Sequence, residues 1–149
     1  MTSVEVGSTI KTRVTFDVTE ILAGAPIAGD QTLTLQLLGG RVGNRVVEIE
    51  GMPTFKLGTD IVLFVAGNGK NVCPLVGWGH GKYLVKEDAN DRRYMVRDNA
   101  VPLTALAEVQ EPLEASAAAV RTRLPVDALS FDEFKTAVRS EKERILHAQ

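Results

Sequence analysis

The residues able to do chemistry are few: one thiol, Cys73, and two imidazoles, His80 and His147. Cys73 and His80 stand seven residues apart. A thiolate with an imidazole base is the core of a covalent hydrolase. It requires the two groups within hydrogen-bond reach and donors for an oxyanion. Nothing in Pro74-Leu75-Val76 specifies the turn that would bring them together. Lone cysteines among apolar residues are mostly buried small hydrophobes, and that is the plainer reading of Cys73. Metal ligation has less support. The two histidines are 67 residues apart, and no H-x-x-x-H or H-E-x-x-H pattern occurs. Asp88, Asn90 and Asp91 hint at a calcium loop, but the glycine and the final glutamate of such a loop are missing. A hairpin turn accounts for them. The expectation is no catalytic residue, no metal and no cofactor.

Binding has two candidate loops. Gly77-Trp78-Gly79-His80-Gly81 places the only tryptophan and one histidine between glycines. Read functionally, this is a rim with Trp78 as apolar anchor and His80 as polar contact or base. Read structurally, the glycines permit a sharply bent strand with small residues packed under Trp78. Gly39-Gly40-Arg41-Val42-Gly43 suggests a phosphate loop but lacks both G-x-x-x-x-G-K-[ST] and G-x-G-x-x-G. No helix pattern follows it to supply an N-terminus. A hairpin loop is the simpler reading, with Arg41 and Arg45 free to meet an anion or an acidic partner.

Positioning these residues falls mainly to strands. Ile10, Thr12, Val14, Phe16 and Val18 alternate with Lys11, Arg13, Thr15, Asp17 and Thr19, which predicts a strand with one wet face. Leu33, Leu35 and Leu37 alternate with Thr32, Thr34 and Gln36 in a second strand. Val14, Phe16, Val18, Leu33, Leu35 and Leu63 are expected to be buried together. Val47 and Ile49 suggest a short third strand after a loop over Gly39–Asn44. Five consecutive apolar residues, Ile61 to Val65, predict a central strand covered on both faces. Val72–Val76 follows as an edge or kinked strand at Pro74. Tyr83-Leu84-Val85 and Tyr94-Met95-Val96 flank a hairpin turn. The C-terminal part carries a capping box, Ser130 to Glu133, flanked by the staple pair Leu129 and Phe134. It predicts a helix from Phe131 to about His147 with Phe131, Phe134, Val138 and Ile145 on one stripe. Leu103–Leu124 reads either as short Ala-rich helices or as a linker.

All 13 glycines lie at or before Gly81, whereas ten of the 15 alanines lie at or after Ala100. The division is therefore a β-rich domain, 1–98, and a segment 99–149 comprising an Ala-rich linker and an amphipathic helix packed on it. The fold class is mainly β with a C-terminal helix (α+β): a small antiparallel barrel or a sandwich of six or seven strands. Residues 1–98 carry 11 basic and 11 acidic side chains, and aromatics are only 5% of the chain. That disfavours an oligonucleotide-binding barrel, which needs a basic groove with exposed aromatics. No apolar run reaches the length of a membrane span.

Val14-Thr15-Phe16-Asp17-Val18-Thr19-Glu20-Ile21-Leu22-Ala23-Gly24, Gly39–Gly43, Gly51-Met52-Pro53-Thr54-Phe55 and Gly58–Phe64 together resemble a group of uncharacterised bacterial exported proteins. That group is similar in pattern to five-stranded barrels of the oligonucleotide/oligosaccharide-binding (OB) type, such as netrin-like and metalloproteinase-inhibitor domains. The resemblance covers roughly residues 8–97 and rests on turn glycines and strand apolars, so it implies fold and not chemistry. Inhibitor domains of that kind use several disulfides and an N-terminal cysteine; this chain has only Cys73. No functional residue transfers. The resemblance implies export, to the periplasm or beyond, with Met1 standing where a signal is removed. The expected function is a non-catalytic binding module engaging a protein partner through Trp78, His80, Arg41 and Arg45. The alternatives are a hydrolase using Cys73 and His80, or an oligonucleotide-binding barrel. The oligomeric state is not legible.

Overall fold

The computed structural model describes residues 1–27, 29, 31–113 and 123–148. Within them the chain is mainly β with one long C-terminal helix, and it forms two compact units. The first is Met1–Thr54 with Phe64–Gly79; the second is Phe55–Leu63 with His80–Gln149. These bounds are drawn by contact, whereas the division near Asp98 is drawn by composition.

In the first unit, β1 (Thr2–Val6), β2 (Thr9–Asp17) and β3 (Thr32–Leu38) form an antiparallel sheet in chain order. Val14 pairs with Leu35 and Phe16 with Leu33, so the alternation read from β2 and β3 selects the correct face. Ile10, Val14, Leu35 and Leu37 are buried on it. Burial then fades: Phe16, Val18 and Leu33 are half-buried, which corrects the expectation of full burial at that end. Leu63 is half-buried as well, and it belongs to the second unit.

The hairpin loop expected over Gly39–Asn44 is shorter than expected, because Gly40–Val42 is itself a strand. β4 (Gly40–Val42) pairs with β5 (Arg45–Val47) across the two residues Gly43-Asn44. Gly43 has φ of 57°, the sign that a type II′ hairpin needs at its first turn position. At Gly40, φ is 134°, and a Cβ there would come within 2.6 Å of Ser3 Oγ and closer still to Thr12 Oγ1. Only glycine lets β4 lie this close to β1 and β2.

The second unit holds β6 (Ile61–Leu63), β7 (Lys82–Glu87) and β8 (Arg93–Arg97), again antiparallel and in chain order. The Tyr83–Val96 hairpin is present as expected. Its turn is closed by Asp88, whose Oδ1 accepts from Asn90 N and Arg92 N at 2.9 and 3.0 Å. The run Ile61–Val65 is not a central strand. β6 pairs only with β7, and the next residues join a different ladder: Val76 N–H donates to Phe64 O and Ala66 N–H to Pro74 O, both at 2.9 Å. The five apolar residues thus serve two ladders in succession, and none of the three sheets closes into a barrel. Eight strands are present among the described residues, against the six or seven expected.

The helix α1 spans Phe131–His147, with the Ser130–Glu133 capping box formed in both directions. Phe134 is fully buried against the Tyr83 ring, 5.4 Å between centroids, and Val138 is buried one turn on. Ile145 is 49% exposed, so the stripe is covered only along the first half of the helix. The described residues between β8 and this helix include two 3₁₀ turns, Leu106–Gln110 and Pro125–Asp127. The Ala-rich stretch 114–122 lies outside the described residues. Side chains of β8 and its neighbours hold the described part of this segment by its carbonyls. The buried Arg97 guanidinium donates to Glu111 O and Pro112 O, Asn99 Nδ2 to Leu113 O at 2.8 Å, and Arg92 Nη1 to Pro125 O at 3.1 Å.

Candidate functional site

The Gly77–Gly81 segment is neither a loose rim nor a bent strand. Trp78–Gly81 is a 3₁₀ turn that carries the chain from the first unit to the second. Trp78 N–H donates to Leu75 O at 3.2 Å, and Trp78 itself sits at φ of 59°. That left-handed conformation is unfavourable for a bulky aromatic residue and is held only by its surroundings, of order 1–3 kcal/mol. Gly51 lies alongside the indole, its absent Cβ 4.0 Å from Trp78 Cε3.

Trp78 forms one wall of an open groove of about 680 Å³ that also takes in Val72, Cys73, Leu75 and Val76, with Lys70 at its margin. Three of the apolar residues are solvent-facing: Val76 is 53%, Val72 45% and Trp78 37% exposed. Every lining residue belongs to the first unit. The short ladder between Phe64–Ala66 and Pro74–Val76 fixes the backbone under Val76, and Leu38 N–H donating to Val72 O at 3.0 Å fixes Val72.

Cys73 lines this groove as a buried side chain. It is 5% exposed, and burial pushes its thiol up from the ordinary value, only partly offset by the Leu75 backbone N–H. A neutral buried thiol is a poor nucleophile. His80 lies in the second unit, half-buried, with Nδ1 at 3.2 Å from Val109 O. A carbonyl only accepts, so Nδ1–H is the donor of this bond. Each of the two residues has its partners within its own unit.

Arg41 is exposed on β4. Arg45 on β5 is held by Glu5 at 2.7 Å and by Ser8 O at 3.3 Å, so it ties the β4–β5 hairpin to the β1–β2 turn. Both arginines lie in the first unit, but neither lines the Trp78 groove. Among the described residues no three His, Cys, Asp or Glu side chains cluster as metal ligands, and no helix is long and apolar enough to cross a membrane. Val72 and Val76 are the groove residues that sequence reasoning missed. Their only signal was an apolar run interrupted by Pro74, which reads equally well as a strand.

Comparison of the chain with known protein families, with curated proteins and with solved structures finds no match.

Proposed function

We propose that this chain is a non-catalytic binding module that engages a protein partner through the Trp78 groove of its first unit. The observation that carries this reading is the apolar trio Val72, Val76 and Trp78, half in solvent on a backbone fixed by hydrogen bonds. Exposed apolar side chains gathered on a rigid base suit a protein partner, since their desolvation drives association and the aromatic supplies the anchor. The buried, protonated Cys73 weighs against a thiol hydrolase. The even charge of residues 1–98 weighs against an oligonucleotide ligand. Kinship with exported OB-type barrels rests on the turn glycines and strand apolars of residues 8–97, and a lone buried cysteine is compatible with that compartment.

A photo-crosslinking side chain placed at Val76 in the source cell tests the reading. Discrete adducts of protein mass are expected, and they should disappear when Trp78→Ala is combined with the probe. Absence of any adduct, or adducts with lipid or glycan alone, would refute a protein partner at this groove.

A further inference from the structure

The outer edge of β3 is closed by a side chain where a sheet would have a strand. β2 takes the inner edge: Val18 N–H donates to Gln31 O at 2.7 Å and Gly39 N–H to Ile10 O at 2.8 Å, bracketing the pairs of Leu33, Leu35 and Leu37. The backbone groups of Thr34, Gln36 and Leu38 therefore point the other way. There Gln36 N–H donates to Asn68 Oδ1 at 3.1 Å, Asn68 Nδ2 donates to Thr34 O at 2.8 Å, and at the far end of the same edge Leu38 N–H donates to Val72 O at 3.0 Å. One carboxamide supplies the acceptor and the donor that a neighbouring strand would present. Thr34 N–H and Gln36 C=O, on the same edge, have no partner among the described residues.

Asn68 rides on the exposed loop Gly67–Val72, and a cavity of about 120 Å³ lined by Lys11, Gln36, Leu38 and Lys70 separates that loop from the sheet. Between Gly67 and Lys70 the only hydrogen bonds from the loop to β3 among the described residues are the two of Asn68, and at Val72 the loop is anchored by Leu38 N–H. The two faces beside the edge differ in character. On one, Leu33 and Phe16 are only half-buried. On the other lie Lys11 and Arg13, paired in register with Leu38 and Gln36, and the cavity adds Lys70. None of these three cations has an ion pair among the described residues.

From this edge we infer that β3 is a strand-addition site gated by the Asn68 loop, and that its occupant is an extended segment of a partner protein with alternating apolar and acidic residues. The backbone of such a segment satisfies Thr34 and Gln36, its apolar side chains cover Leu33, and its carboxylates meet Lys11, Arg13 and Lys70. The site shares the loop residues Lys70, Asn71 and Val72 with the Trp78 groove but uses neither Trp78 nor Val76, so the crosslinking test at Val76 and the peptide test at β3 read the two separately.

The test titrates a fluorescent peptide of alternating valine and glutamate into the full chain. Asn68→Ala should bind it roughly tenfold more tightly than wild type, because two gate hydrogen bonds are gone. A valine–lysine peptide of the same length should bind at least about tenfold more weakly. Thr34→Pro should lower affinity about tenfold or more while leaving the ladder to β2 intact, since its lost N–H faces outward. Should Thr34→Pro fail to fold, amide exchange in Asn68→Ala decides: Thr34 and Gln36 N–H should gain protection when the peptide is added. Absence of saturable binding, equal binding of the lysine peptide, full affinity in folded Thr34→Pro, or unchanged exchange at those amides overturns the inference. So does self-association of Asn68→Ala in sedimentation, which would make a second copy the occupant.

Discussion

Phe134→Ala tests how α1 is held. Phe134 is fully buried, and its ring stands 5.4 Å from Tyr83 at 45°. Truncating a buried phenylalanine costs about 3–5 kcal/mol. The tilted ring pair, worth about 0.5–1.5 kcal/mol beyond burial, places this site toward the upper part of that range, near 4 kcal/mol. Ile145 lies on the same stripe but is 49% exposed. Full burial of such a side chain is worth about 1.5–3 kcal/mol, so Ile145→Ala should cost roughly 1 kcal/mol or less. Equilibrium urea unfolding followed by circular dichroism reads both, provided the slope against denaturant stays constant. The midpoint should fall several times further for Phe134→Ala. A loss at Ile145 equal to that at Phe134 would refute the reasoning, because the far half of α1 would then be covered, most simply by a second molecule.

Ser130→Ala should cost about 0.5–2 kcal/mol by the same assay if the capping box acts as its geometry indicates; no change would make the cap incidental. Cys73 should react slowly with a thiol reagent in the native chain and rapidly in denaturant, since burial keeps the thiol protonated; fast stoichiometric native labelling would restore it as a nucleophile. Gly40→Ala should destabilise by about 2 kcal/mol or more, because its Cβ would collide with Ser3 and Thr12. Gly43→Ala should cost only about 1 kcal/mol, because its Cβ meets nothing within 4 Å and only the positive φ is unfavourable; equal losses would mean β4 does not lie close to β1 and β2. Burial raises the carboxyl pKa of Glu108, but the hydrogen bonds from Thr104 and then the charge of Arg123 outweigh it, and the net value is depressed. Its stabilising contribution is therefore complete above the unfolded glutamate value near about 4.3 and lost as pH falls through the lower folded value. Glu108→Gln should lower stability at neutral pH and flatten that acid limb; an unchanged limb would show that Glu108 does not contribute.

The legible parts of the fold share one property: their signal repeats. β2 and β3 alternate over seven or more residues, and α1 combines a stripe with a cap, so face and start can both be read. β1 was not legible because Thr2-Ser3-Val4-Glu5-Val6 has no buried face, and its pairing with β2 supplies the only reason for it to be extended. β4 has three residues, too few for a period to show, and of the short strand expected around Val47 and Ile49 only Val47 lies in β5. The run Ile61–Val65 misled in a different way. Continuous apolarity marks burial on two sides, but it does not say whether two neighbours cover one strand or one segment serves two ladders in turn.

The candidate sites divide along the same line. Trp78 was visible because its composition is unusual, and its groove-mates Val72 and Val76 were not, because exposure of a valine has no local signature. Asn68, Arg92, Arg97 and Asn99 were invisible for a more general reason. Each bonds to the backbone of a distant segment, and a backbone carbonyl or N–H is the same at every residue. Such a bond therefore places no constraint on the residue types it holds, and Gln36, Pro112, Leu113 and Pro125 could each be almost anything. Only the donor side can carry information, and at Arg97 it does. An arginine that follows Tyr94-Met95-Val96 and is 3% exposed stands where a strand ending in solvent would leave a charge fully wet. A buried guanidinium must find acceptors. Among the described residues no acidic side chain pairs with it, and the carbonyls of Glu111-Pro112 supply the acceptors. Glu111-Pro112 is thus held from β8, by a residue whose role becomes readable only once its burial is known.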